Sequence, residues 1–120
     1  MKILKLAVVI FVLLVGSTAL FAQQIVSGKY SFNNSMQNYT LDKNSGDRSM
    51  TIYINFDKGF DKKPKIILSV TNLDANTQTN IRYNVEALSV SRDGFSVKVS
   101  TWSDTKIMGL SGDWLAISEP

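Results

Sequence analysis

Trp102 and Arg82 each lie on a predicted strand at a position whose side chain faces away from the core. In segment 95–102 apolar and polar residues alternate, and Trp102 is in phase with the serines and the lysine. In segment 81–87 Arg82 is likewise out of phase with the apolar positions. An exposed indole can pack on the apolar face of a sugar ring, and a guanidinium can donate to its hydroxyls in a fixed geometry. Equally, Trp102 can be buried in a subunit interface or beneath a loop, and the residue pattern favours neither alternative.

Catalytic chemistry has little support in this sequence. The chain contains no histidine and no cysteine, which removes Ser-His and Cys-His nucleophile pairs and the commonest zinc ligands. Segment 42–47, DKNSGD, lacks the spacing and terminal Glu of a calcium-binding loop. Enzymes can work with carboxylates alone, but nearly all of the candidate aspartates lie in predicted loops where turn chemistry explains them: Asp42, Asp47, Asp57, Asp61, Asp93, Asp104 and Asp113. We therefore predict no enzymatic activity, no metal site and no cofactor.

The elements that must position these side chains are strands, since the sequence shows no helical period after residue 24. Polar loops are predicted at 33–47 and 72–80, a hairpin turn at 91–94, and a glycine turn at Gly109–Gly112. Six strands are predicted, the first interrupted at Gly28: 25–32, 50–56, 66–70, 81–87, 95–102 and 114–117. Short strands separated by turns predict a single all-β domain, a six-stranded antiparallel β-sandwich or a barrel.

The alternation also predicts a core and a strand pairing. If the 91–94 turn is tight, Tyr83 faces Trp102 across the hairpin and Arg82 lies within diagonal reach. The predicted core consists of apolar residues from all but the first strand: Ile52, Ile54, Phe56, Ile67, Val70, Ile81, Tyr83, Val85, Phe95, Val97, Val99, Trp114 and Ile117.

The first 22 residues have the layout of a secretory signal peptide. Lys2 and Lys5 precede a short apolar run, and small residues follow near Ala22. An uncleaved anchor is the alternative. We expect a domain at residues 23–120 that is secreted, periplasmic or on the cell surface and is not inserted in the membrane. Without Lys2 and Lys5, thirteen basic residues become eleven against ten acidic ones, a net charge of +1 that predicts no nucleic-acid partner.

Two segments carry a resemblance to a known family. INFDKGFDKKPKIILSVTNLDANTQTNIRYNVEALSVS and GFSVKVSTWSDTKIMGLSGDWLAI contain a spaced Phe56, Phe60 and Pro64, then Asn80-Ile81-Arg82, and finally Thr101-Trp102 and Trp114-Leu115-Ala116-Ile117. IVSGK at 25–29 matches the usual start of the domain. This pattern resembles the H-type lectin domain of snail agglutinins and of the discoidin C-terminal region.

The resemblance implies a six-stranded antiparallel β-sandwich that forms homotrimers and binds galactose or N-acetylgalactosamine between protomers. It places the family's sugar-binding arginine at Arg82 and its tryptophan at Trp102. A histidine and an aromatic residue of the family become Ser103 and Met108, and its aspartate aligns with Ser45, two residues before Asp47. The expected function is a secreted, non-enzymatic lectin for glycans or glycoconjugates. A structural or adhesive β-sandwich subunit that has lost sugar binding is the alternative, and a glycosidase is a distant third.

Overall fold

The computed structural model describes residues 23–119, which form strands, turns and loops only. The predicted signal peptide at 1–22 lies outside the described residues. No helix in residues 23–119 is long and apolar enough to cross a membrane. The strands are β1 Ile25–Asn33, β2 Arg48–Asn55, β3 Lys65–Leu68, β4 Asn72–Ala75, β5 Asn84–Leu88, β6 Gly94–Thr101 and β7 Ile107–Ile117.

Two antiparallel sheets form the domain, each built around one long strand. In the β7 sheet, β7 pairs with β1 on one side and with β3 and then β4 on the other. In the β6 sheet, β6 lies between β2 and β5. The predicted antiparallel β-sandwich is confirmed. It has seven strands because the segment 72–80, predicted as a loop, begins with the short strand β4.

The core lies between the inner faces of the two sheets. Phe95, Val97 and Val99 of β6 are fully buried, as their alternation predicted. Around Phe95 the rings of Phe56 and Trp114 pack with centroids 5.5 to 5.8 Å apart. Aromatic contacts of this kind add to the burial of apolar area that drives folding.

Four residues of the predicted core are exposed. The prediction was wrong for Ile67 because β3 alternates, so that its neighbours Ile66 and Leu68 face the core instead. It was also wrong for Val70, Ile81 and Tyr83, which precede β4 or β5 and lie outside any strand. The other predicted members are buried or half-buried.

The long segment 33–47 contributes to the core, although its polar composition predicted a surface loop. Tyr39 and Leu41 are buried in it, and the Tyr39 hydroxyl donates to the carbonyl of Ile107 at 2.7 Å. Burial, followed by the negative charges of Asp42 and Asp74, raises the pKa of Tyr39 to about 12. This segment is therefore anchored to the start of β7.

Glycines mark close packing in this fold more often than turns. Strand β1 runs without a break through Gly28, where an added Cβ would lie 2.5 Å from the Trp114 ring. The predicted turn at Gly109–Gly112 is wrong, since both residues lie within β7. An added Cβ at Gly112 would collide with the carbonyl oxygen of Ser69. Because Gly112 has no side chain, the segment that connects β3 to β4 can pass close to it.

Candidate carbohydrate site

The candidate site lies at one end of the outer face of the β6 sheet. On β6 this face carries Ser96, Lys98 and Ser100, and Trp102 follows the strand in the same phase. Continuing the β2–β6 register by one residue aligns Asp47 with Trp102. Continuing the β5–β6 register past Asn84 aligns Arg82 with Trp102 as well. The expected pairing of Tyr83 with Trp102 is therefore wrong by one residue, and Arg82 is closer in register than the sequence suggested.

A pocket of about 270 Å³ lies beside Trp102. The Trp102 side chain is 41% exposed, although most large aromatic residues of this domain are buried. An exposed indole next to charged and hydroxyl groups has the composition of a site for a polar ring. The pocket is lined by Asp47, Arg48, Ser49, Lys98, Ser100, Thr101 and Trp102.

Arg82 is fixed to the end of β6 through its backbone. The Thr101 hydroxyl donates to the Arg82 carbonyl at 2.6 Å, and the Arg82 amide donates to Thr105 Oγ1 at 3.2 Å. These bonds hold the backbone of Arg82 beside the strand that leads into Trp102. Segment 81–83 therefore stays next to β6 although β5 begins only at Asn84.

One side of the Arg82 guanidinium is held and the other is open. Its Nη1 forms a salt bridge with Asp104 Oδ1 at 2.9 Å and also donates to the Asn80 carbonyl at 3.4 Å. Within residues 23–119, Arg82 Nε and Nη2 have no hydrogen-bond partner. Since the arginine side chain is 29% exposed, these donors remain available to a ligand.

The remaining predicted site residues are spread around this end of the domain. Ser103 is exposed, in a left-handed conformation with φ of 60°, and its carbonyl accepts from the Gly46 amide at 2.9 Å. Ser45 is exposed in the loop before β2 and does not line the pocket. Met108 lies in β7, in the other sheet, where its carbonyl accepts from the Asn34 amide. Of the predicted site residues, the pocket thus includes Asp47 and Trp102, with Ser103 adjoining, whereas Arg82 lies outside its lining.

Sequence reasoning missed Arg48 and Lys98 as pocket residues. Arg48 lines the pocket and is only 9% exposed. A signal for it was available, because Arg48 is in phase with the inward-facing Met50 and Ile52 of β2. An arginine on the inner face of a strand requires hydrogen-bond acceptors. In residues 23–119 no group of three or more His, Cys, Asp or Glu side chains could hold a metal ion.

Sequence comparison identifies the family of this domain. The sequence model of the H-type lectin domain matches residues 51–117, more than half of the chain. A protein from Fuscovulum blasticum, ATP synthase subunits region ORF 7, is 28% identical over 102 residues, covering 85% of this chain and 79% of that protein. A discoidin-1 polypeptide from Dictyostelium discoideum is 29% identical over 80 residues, covering 66% of this chain and 32% of its own length.

Structural comparison gives the same fold. The wild-type discoidin II of Dictyostelium discoideum superposes with a TM-score of 0.73 at 19% identity, over 82% of this chain and 38% of that chain. A second structure, of native recombinant discoidin II, gives a TM-score of 0.71 at 20% identity over 80% of this chain and 37% of that chain. The chain spans about a third of the length of the discoidin-1 and discoidin II chains it matches. From the match over residues 51–117, the chain belongs to the H-type lectin domain family.

Proposed function

We propose that this domain is a secreted lectin that binds glycans of the galactose or N-acetylgalactosamine type, or related ones, without catalytic turnover. The observation that carries the proposal is the alignment of Asp47 and Arg82 with the exposed Trp102 at one end of the β6 sheet. Trp102 and Asp47 line the pocket and offer an apolar ring face and an acceptor. Arg82 lies on the opposite side of Trp102, next to β5, and offers a donor fork from there. A saturated sugar ring presents the complementary groups.

Each of the three side chains has a separate task in this proposal. The Trp102 indole packs against the C–H face of the sugar, a contact that does not depend on any ionised group. Arg82 Nε and Nη2 donate to neighbouring hydroxyls, while its Nη1 stays bonded to Asp104. The Asp47 carboxylate accepts from a further hydroxyl, and a charge-assisted hydrogen bond is about twice as strong as a neutral one.

We also propose that the working form is a homotrimer with sites at the protomer boundaries. Support comes from apolar side chains on the outer face of the β6 sheet. Tyr53 of β2 is 53% exposed on one side of β6, and Leu88 of β5 is exposed on the other side. Segment 49–55 of the edge strand β2 contains no charged residue, proline or glycine. Proteins usually protect a free edge of this kind with charged residues or proline, or they cover it. A neighbouring protomer along β2 would cover this edge close to the pocket.

Trimer formation would also serve recognition. A single shallow site gives weak binding, and several sites on one rigid assembly raise the effective concentration of the second ligand group. The alternative, a structural subunit without sugar binding, rests on Ser103 and Met108. These replace a histidine and an aromatic residue in the family resemblance. Such a protein would assemble and bind no glycan.

Binding of residues 23–120 to a glycan array, followed by calorimetry with the best sugars, tests the proposal. We expect binding to glycans with terminal galactose or N-acetylgalactosamine, and its loss in Trp102→Ala. A folded, assembled protein that binds no glycan would favour the structural alternative. Secretion is tested separately by mass spectrometry of exported protein, which we expect to begin near Gln23. Retention of residues 1–15 would indicate an anchor.

A further inference from the structure

We infer that Arg48 is a positioning residue that holds Asp47 and Trp102 in place at the proposed sugar site. The inference rests on the proposed function, although its geometry is independent of it. Arg48 is 9% exposed and lies on the inner face of β2, directly opposite Thr101 of β6. It therefore sits beneath the point where Asp47 leads into β2 and Trp102 leaves β6.

The guanidinium of Arg48 donates to four backbone carbonyls. Nε donates to Gly46 at 2.9 Å and Nη2 to Ser103 at 3.0 Å. Nη1 donates to Lys43 at 3.0 Å and to Leu41 at 3.3 Å. Among the described residues the salt bridge is that of Arg82 with Asp104, so Arg48 is balanced by carbonyl dipoles and not by a carboxylate. A buried charge with such partners fixes the backbone that supplies them.

These carbonyls belong to two segments that otherwise share few bonds. Leu41, Lys43 and Gly46 lie in the loop before β2, and Ser103 lies in the turn after β6. One backbone hydrogen bond, from the Gly46 amide to the Ser103 carbonyl, joins the segments directly. Arg48 adds a second link, since it bonds to a carbonyl on each side. The loop and the turn are thus held as one unit.

Both segments contain residues in the left-handed backbone region. Asn44 and Ser103 have φ of 60°, and Gly46 has φ of 83°. Glycine and asparagine adopt this left-handed region readily, whereas serine does so less often and gains from surroundings that hold it there. Asp47 directly follows Gly46, and Trp102 directly precedes Ser103. Fixing the carbonyls of Gly46 and Ser103 therefore fixes the directions of the two side chains that line the pocket.

Lysine cannot replace Arg48 in this role. An ammonium group is a compact donor on a flexible stem, whereas the planar guanidinium reaches acceptors on several sides at once. Without the fork, the loop and the turn must be ordered when the sugar binds. Ordering backbone on binding opposes affinity, and we expect Arg48→Lys to bind about 10-fold more weakly or worse.

The test compares Arg48→Lys with the parent and with Arg92→Lys, a matched change at an exposed arginine in the turn before β6. Affinity is measured by calorimetry with the sugar that the parent binds best on the array. Acrylamide quenching in sugar-free protein reports mainly on Trp102, because Trp114 is buried. We expect Arg48→Lys to remain folded, to bind about 10-fold more weakly and to show increased quenching, with Arg92→Lys unchanged in both. Parent-like affinity and quenching in folded Arg48→Lys would overturn the inference.

Two further outcomes have their own tests: an Arg48→Lys variant that does not fold, and a parent that binds no glycan. If Arg48→Lys does not fold, Gly46→Ala disturbs the same link from an exposed loop, where an added Cβ meets no atom within 4 Å but is strained at φ of 83°. Folded Gly46→Ala with parent-like affinity and quenching would then overturn the inference. If the parent binds no glycan, the proposed function fails together with the ligand part of this inference. In that case the quenching comparison still decides whether Arg48 holds Trp102 in place.

Discussion

Arg82 and Asp104 form a salt bridge of 2.9 Å that orients the guanidinium beside the proposed sugar site. Asp104 is 64% exposed in its side chain, so solvent and salt screen the pair. Exposed pairs of this kind contribute about 0–1 kcal/mol to stability. The salt bridge therefore matters more for the direction of the remaining donors, Nε and Nη2, than for folding.

Arg82→Lys should weaken sugar binding by about ten- to a hundredfold, because an ammonium cannot reproduce the planar donor fork and a charged hydrogen bond contributes roughly 1.5–3 kcal/mol. The free energy of unfolding should change by less than about 1 kcal/mol, since the lysine can keep an exposed contact with Asp104. Calorimetry with the best array sugar and urea unfolding measure the two effects. Parent-like affinity would show that the sugar site lies elsewhere. Unfolding of the variant would make Arg82 a structural residue.

The strand pattern of the β6 sheet could be predicted because each of its strands has one face in the core. On β6, alternation placed Phe95 and Val97 inside and left Trp102 in the polar phase. The turn at 91–94 then gave the pairing of β5 with β6 to within one residue. Local periodicity and turn chemistry thus predict most of this sheet and the outward direction of Trp102.

Other features depend on contacts between distant segments and leave no local pattern. Tyr39 and Leu41 lie in a polar stretch, and their burial follows from contacts with Ile107 near the start of β7. The link from Arg48 to Ser103 joins residues 55 positions apart. Sequence alternation could have shown that Arg48 faces inward, but not which carbonyls it meets. The hydrogen bonds that hold the loop and the turn of the candidate site together were therefore outside the reach of periodicity.

Thr51→Pro should convert the proposed trimer into a folded monomer. Phe56 N donates to Asp93 O, so the antiparallel alternation directs the amides of odd-numbered β2 residues away from β6. Proline at position 51 removes one of these outward donors and is tolerated on an edge strand. Thr51→Val keeps the donor and is the matched control. Light scattering at micromolar concentration gives the masses, and a parent-sized Thr51→Pro would place the interface away from the β2 edge.

Alkaline pH should destabilise the domain through Tyr39. Burial, with Asp42 and Asp74, raises its pKa to about 12 in the folded state, against about 10 in the unfolded chain. Between these values the unfolded phenol loses its proton and the folded one keeps it. Stability supplied by the neutral phenol is therefore full below pH 10 and falls as pH rises towards 12. The expected loss is roughly 2–3 kcal/mol. Burial raises the pKa of Tyr30 too, which acts in the same direction.

Urea unfolding from pH 9 to 12, compared between the parent and Tyr39→Phe, isolates this effect from lysine titration. The variant loses the hydrogen bond to the Ile107 carbonyl and should be less stable at pH 9 by about 1 kcal/mol. Its stability should then fall less steeply with pH than that of the parent. Parallel pH profiles for the two proteins would show that Tyr39 titrates normally in the fold.

Gly112→Ala should destabilise the domain while Gly109→Ala does not, although both glycines lie in β7. An added Cβ at Gly112 collides with the backbone carbonyl of Ser69, which cannot turn aside as a side chain can. At Gly109 the nearest atom, the Phe32 carbonyl oxygen, would lie 3.4 Å away, an ordinary contact. Overpacking of this kind costs about 1–3 kcal/mol, and for a domain of this size that lowers the melting temperature by roughly 5–20 °C. Calorimetric melting of the two variants decides the matter. Equal melting temperatures would mean that the segment between β3 and β4 can shift freely and that its close contact does not require glycine at position 112.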